Sequence, residues 1–82
     1  VERELALIKG KGEKNRRSDI VNLVSVFRAN IIDVNKETMV IEILGDENKI
    51  NALCSVLEDY GIVEMVRTGK VVLSRGPEAV KD

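Results

Sequence analysis

The chain has 82 residues, a formal net charge of −1 and one third of its residues charged. That is room for one small domain, with no global field to draw it to nucleic acid or membrane. Its single cysteine, Cys54, rules out an internal disulfide, and the absence of histidine removes the commonest zinc ligand and the commonest general base.

A domain this small buries only about 60% of the surface its unfolded chain exposes. Good packing or a partner subunit is therefore the expected support. No apolar run approaches the roughly 20 residues that span a bilayer, and no signal-peptide pattern is present. With the lone thiol, this places the expected location in the cytoplasm. The chain begins at Val1, already in strand-like sequence, and so reads as a piece of a longer protein.

Glu2 to Lys9, "ERELALIK", is strand-like, charged at its start and apolar from Leu5 to Ile8. Gly10 to Arg17, "GKGEKNRR", is glycine-punctuated and basic and reads as an exposed loop. In "SDIVNLVSVFRAN", Ile20, Leu23, Val24 and Phe27 fall at i, i+3, i+4 and i+7, one face of a helix. Ser18 is the predicted N-cap, with Asp19 favourably placed at the positive helix end. Asn30 to Lys36 and Thr38 to Gly45 are strands joined by a tight turn at Asn35, Lys36 and Glu37. A second helix opens at Asp46, carries the stripe Ile50, Leu53, Cys54 and Leu57, and stops at Gly61. Ile62 to Thr68 is the last clear strand. Val71 to Ser74 either extends it or folds back after Gly69, and Pro77 opens a polar tail, residues 77–82, expected to fray.

Strand, helix, strand, strand, helix, strand is the order of the α+β, ferredoxin-like βαββαβ plait (ACT-like): a four-stranded antiparallel sheet with two helices on one face. The domain is expected to span residues 1–76. "LALI" and "MVIEIL" are among the most apolar strands, fitting the central first and third positions. In the third strand Met39, Ile41 and Ile43 point one way and Val40, Glu42 and Leu44 the other. In the first, Leu5 and Leu7 oppose Ala6 and Ile8. The first set of the third strand is the better candidate for the helix-covered core. The opposite set is still mostly apolar, whereas a solvated sheet face reads more cleanly polar. The uncovered face is therefore expected to meet another protein surface.

Chemistry finds little purchase. Cys54 on an apolar helical stripe is packing rather than a nucleophile. Glu58 and Asp59 are adjacent on a helix, so they diverge. Acylphosphatases hold phosphate in the loop after the first strand of this plait, but "GKGEKNRR" lacks that family's pattern. RNA-binding plaits stack bases on strand aromatics. Here Phe27 and Tyr60 fall in the predicted helices instead. Nickel-responsive repressors of this fold ligate metal through histidines, which are missing. "RTGKVVLSRG" lacks the spacing of a phosphate-binding loop and follows a strand without a helix behind it.

"VERELALIK", "FRANIIDV" and "GIVEMVRTGKVVLSRG" stand in the order and spacing of a known family. From Val1 to about Gly76 the chain resembles the C-terminal domain of the small, regulatory subunit of acetolactate synthase (acetohydroxyacid synthase). Two departures are Gly10, where the family's first strand continues with an apolar residue, and the unusually basic loop after it. The resemblance implies a non-catalytic domain with no cofactor or metal of its own. Thiamine diphosphate, magnesium and FAD belong to the large subunit, which condenses pyruvate with pyruvate or 2-oxobutyrate in branched-chain amino acid synthesis. The implied partners are that large subunit and a second small subunit, in a homodimer. The implied role is activation and transmission of feedback inhibition, usually by valine, with the effector bound by a preceding ACT domain. An alternative is an ACT-like module that binds an amino acid at its own dimer interface. Val40, Leu44, Arg67, Gly69, Lys70 and Arg75 are the candidate protein-interface residues.

Overall fold

The structure, a computed structural model, describes residues 1–77. It contains β1 (Glu2–Lys11), a 3₁₀ turn (Lys14–Arg16), α1 (Arg17–Val26), β2 (Asn30–Val34), β3 (Thr38–Gly45), α2 (Glu47–Glu58), β4 (Ile62–Arg67) and a short β5 (Val71–Val72). The sheet runs β2-β3-β1-β4, with every pairing antiparallel, and β5 pairs with the start of β1. β1 and β3 are central, as their hydrophobicity predicts. The tail expected to fray falls outside the described residues beyond Pro77.

Period-two alternation sorts each central strand into two faces. Ala6 and Ile8 of β1 and Met39, Ile41 and Ile43 of β3 are buried together with Ile20 and Val24 of α1 and Ile50, Leu53, Cys54 and Leu57 of α2. Both helices therefore cover one face of the sheet, and each predicted apolar stripe faces inward. Phe27 and Tyr60 pack against the margin of this core, just past the ends of their helices.

Local chemistry sets the ends. Asp46 caps α2: its Oδ1 accepts from the Lys49 N–H at 2.8 Å. Gly61 stops it at φ +100°, with its N–H donating to the Leu57 carbonyl at 3.0 Å. Asn35 shapes the β2–β3 hairpin, because its Oδ1 accepts from the N–H groups of both Glu37 and Thr38 at 2.9 Å.

Two predicted boundaries move. β1 continues through Gly10 and Lys11, because neighbouring backbone extends its ladder. Lys11 N–H donates to the Gly61 carbonyl at 2.9 Å, and Gly12 N–H to the Glu37 carbonyl at 2.8 Å. Ser18 is not the N-cap of α1. The chain coils earlier, with Arg16 N–H on the Glu13 carbonyl at 2.9 Å, so Ser18 already lies inside the helix. At the other end, Arg28 adopts φ +56° while its N–H donates to the Ser25 carbonyl at 3.1 Å. A left-handed conformation strains a residue that bears a Cβ. No helix among the described residues is long and apolar enough to cross a membrane.

Two substitutions test this account by urea unfolding. Asp46→Ala removes the cap and is expected to cost about 1 kcal/mol. Arg28→Gly relieves the left-handed strain and is expected to gain roughly 0.5 kcal/mol, after the extra chain entropy glycine loses on folding.

Candidate functional site

The uncovered face follows from the register. Directly opposed residues of antiparallel strands share a face. Leu5 therefore stands beside Leu44, Leu7 between Glu42 and Val66, and Lys9 between Val40 and Glu64. Leu44 is 57% exposed and Val66 60%. Leu5 and Val40 are half-buried by their neighbours. Lys9 Nζ lies 3.8 Å from Glu64 Oε1. The result is an apolar strip along β1, bordered at Lys9 by the opposite charge of Glu64.

Beyond Arg67 the edge of β1 stays occupied. Thr68 N–H donates to the Leu5 carbonyl at 3.0 Å, and its Oγ1 accepts from the Leu5 N–H at 3.1 Å. The chain then bends through Gly69, at φ +76° with open space where a Cβ would stand, and rejoins β1 as β5. Val71 to Ser74 thus prolongs the β4 edge rather than folding back. Lys70 ties this arm down, its Nζ 3.4 Å from Glu2 Oε1 and 3.9 Å from Glu47 Oε2.

Arg67 has a different position. It pairs across the ladder with Ala6, on the helix-covered side. Its Nε donates to the carboxylate of Glu4, which is 5% exposed, and its Nη1 donates to Asn51 Oδ1 at 2.6 Å. The hydrogen bond that Arg67 donates to Glu4 raises the guanidinium pKa above its ordinary value. Nearby, Cys54 is buried with Sγ 3.3 Å from Met65 Sδ. Burial pushes its thiol up, and the charge of Arg67 opposes that only in part.

The six candidate interface residues therefore occupy three places. Val40 and Leu44 lie on the uncovered face. Gly69, Lys70 and Arg75 lie on or beside the arm, and Arg67 turns inward to Glu4. Sequence reading missed Glu4, although its place two residues before Ala6 and four before Ile8 puts it on their buried face. It also missed Thr68, whose hydroxyl stands in for a backbone acceptor. The basic segment after β1 proves structural. The Arg16 guanidinium stacks over the Tyr60 ring at 4.3 Å, and its Nη2 donates to the Asp59 carbonyl at 3.2 Å. Arg17 Nε donates to the Gly12 carbonyl at 2.7 Å, and its Nη2 to that of Asn35. Both arginines are spent on backbone oxygens that lie on neighbouring elements. Among the described residues, no three His, Cys, Asp or Glu side chains are grouped so as to hold a metal ion.

Comparison with known proteins gives this geometry a context. The family model described as "Small subunit of acetolactate synthase" matches residues 3–76. The chain belongs to the acetolactate synthase small subunit family. A probable acetolactate synthase small subunit of Archaeoglobus fulgidus is 46% identical over 76 residues, covering 93% of this chain and 48% of that protein. The acetolactate synthase small subunit of Mycobacterium leprae is 49% identical over 78 residues, covering 95% of this chain and 46% of that protein. The crystal structure of the Thermotoga maritima small subunit superimposes with a TM-score of 0.80 at 42% identity, over 87% of this chain and 44% of that one. The chain thus spans about half the length of these relatives.

Two outcomes follow from the inner cluster. Arg67→Ala strands the Glu4 carboxylate in the core and is expected to cost on the order of 3 kcal/mol. Lys70→Ala removes only exposed pairs and should cost well under about 1 kcal/mol in the same urea titration. Cys54 gives a pH dependence. Its thiol pKa is raised by folding, so its contribution is complete below the unfolded value of about 8.5 and declines as pH rises beyond it. The stability advantage of the wild type over Cys54→Ala should therefore narrow as the pH is raised above about 8.5.

Proposed function

We propose that this chain is the C-terminal regulatory domain of an acetolactate synthase small subunit. In this reading it has no catalytic residues of its own and works through protein contacts. It helps to activate a large subunit that carries thiamine diphosphate, magnesium and FAD, and it relays feedback inhibition by a branched-chain amino acid bound elsewhere in a small-subunit dimer. The observation that carries the reading is the division of the sheet. One face is closed by the helices, while the other presents Leu5, Leu7, Leu44 and Val66 without a covering layer. Membership of the small-subunit family supports a large-subunit partner. The absence of histidine, with Cys54 buried and its pKa raised, leaves little for acid–base or nucleophilic chemistry. Relay of an effector state requires contacts whose free energy differs between two states of the complex. The uncovered face and the arm from Thr68 to Gly76 are the surfaces proposed to make them.

The direct test is an acetolactate-forming assay in which the full-length small subunit is added to its large subunit. Stimulation and valine sensitivity are expected with the wild type. Reversing charge on the arm, Lys70→Glu with Arg75→Glu, is expected to weaken stimulation about tenfold while leaving the unfolding midpoint within the range of surface substitutions. Undiminished stimulation by this variant would remove the arm from the contact surface. Calorimetry of the domain with valine tests where the effector sits. No heat of binding is expected, and millimolar or tighter binding would assign the effector site to this domain instead.

A further inference from the structure

We infer that the cavity between the segment after β1 and the β2–β3 hairpin binds the phosphate group of a small molecule. It lies at the end of β1 that pairs with Thr38, whereas the arm pairs at the opposite end, with Glu2 and Arg3.

Backbone bonds build the frame. Gly12 N–H donates to the Glu37 carbonyl at 2.8 Å, which ties the segment to the hairpin turn. Arg16 N–H closes the 3₁₀ turn on the Glu13 carbonyl at 2.9 Å and fixes the backbone at Lys14. Asn35 folds the hairpin by accepting from Glu37 and Thr38, and so presents Lys36 at the bend. Lys14, Arg17 and Lys36 line the resulting cavity of about 400 Å³. Small-molecule sites run from about 300 to 1,000 Å³.

All three lining residues are cations. Arg17 reaches the Gly12 and Asn35 carbonyls through Nε and Nη2, along one edge of its guanidinium. That structural use takes one edge only. Carbonyl oxygens carry no net charge, so they orient the group without neutralising it. The other edge, Nη1 with the second Nη2 proton, has no hydrogen-bond partner among the described residues. Lys14, Arg17 and Lys36 also form no ion pair among those residues. The adjoining cavity, of about 450 Å³, differs in this respect. Lys11, Glu13, Lys36, Glu37, Thr38 and Val63 line it, so two carboxylates balance two lysines there. A concavity lined by one sign of charge concentrates its counter-ion.

The geometry selects the class of anion. A carboxylate brings one negative charge and two oxygens in one plane. A phosphate monoester carries about −1.5 to −2 charges at pH 7 and three acceptor oxygens. It can take a bidentate pair from the free arginine edge and single bonds from the two lysines. A nucleic-acid backbone fits less well. It is held by many cations that follow successive phosphates, whereas this chain has a net charge of −1 and gathers these three cations in one cavity.

The test is calorimetric titration of inorganic phosphate into the full-length small subunit, beside acetate at the same ionic strength. Saturable, millimolar or tighter binding of phosphate is expected, and none of acetate. Lys14→Gln with Lys36→Gln removes two exposed cations and should weaken phosphate binding at least about tenfold, as loss of charge-assisted hydrogen bonds requires. Lys70→Gln, on the arm, should bind as the wild type does. In the wild type, the amide resonances of Gly12, Lys14 and Lys36 should move along the same titration while that of Lys70 stays still. No saturable phosphate binding, equal binding of acetate, or undiminished binding by the double variant would each overturn the site. So would an equal loss in Lys70→Gln, or a DNA duplex that displaces phosphate from these residues and binds more tightly.

Discussion

β1 is the strand on which the rest of the domain depends. It pairs with β3 on one side and with both β4 and β5 on the other, so three of the other four strands are anchored directly to it. Its period-two alternation sends Glu4, Ala6 and Ile8 under the helices and Leu5, Leu7 and Lys9 to the far side. A one-residue slip would exchange these sets. Glu4 would be exposed and Lys9 buried, and the ion pair with Arg67 would be lost. The register is therefore held by burial on one face and by a specific charge contact at one end.

That charge contact also explains why the last strand can break without leaving the sheet. β4 loses its ladder near Arg67, where an edge strand would ordinarily fray. Arg67 is anchored in the interior by Glu4 and Asn51, Thr68 borrows Leu5 for both of its polar groups, and Lys70 reaches Glu2 and Glu47. The three residues before and around Gly69 thus hold the chain on β1 across a bend that glycine alone can make without strain. The exposed pairs of Lys70 contribute little to stability, so the arm beyond Gly69 is the more easily released part of this edge.

Much of the architecture was legible before any coordinates. Helical stripes, the cap at Asp46, the stop at Gly61 and the hairpin at Asn35 are local features, each written in a few neighbouring residues. The two-faced character of β1 and β3 was legible too, because alternation needs no knowledge of partners. What escaped was non-local. Glu4 and Arg67 lie 63 residues apart in sequence, and nothing in either neighbourhood names the other. Read singly, Arg67 belongs with Lys70 and Arg75 on a polar rim. Only the pairing of Ala6 with Arg67 shows that its side chain starts from the covered side. The same holds for Arg16 and Arg17. Their cluster with Lys11 and Lys14 invites an anion, yet both guanidinium groups find carbonyl oxygens brought near by α2 and the hairpin. Ser18 failed as a cap for a related reason, since the turn that starts α1 is set by backbone bonds before it.

The distribution of polar groups bears on what such a domain can do. Arg16, Arg17 and Arg67 are spent on structure, the buried carboxylate of Glu4 is paired with Arg67, and the one thiol is buried beside a methionine. Two surfaces differ from this interior in character. The sheet face is apolar and charge-balanced, and the arm is cationic and loosely held. A coupling between sites needs contacts whose free energy differs between two states, and a coupling of about 1–3 kcal/mol is a large share of what a modest interface supplies. Of the two surfaces, the arm is held by exposed ion pairs and yields to such a difference more readily than the sheet, whose register is fixed by burial.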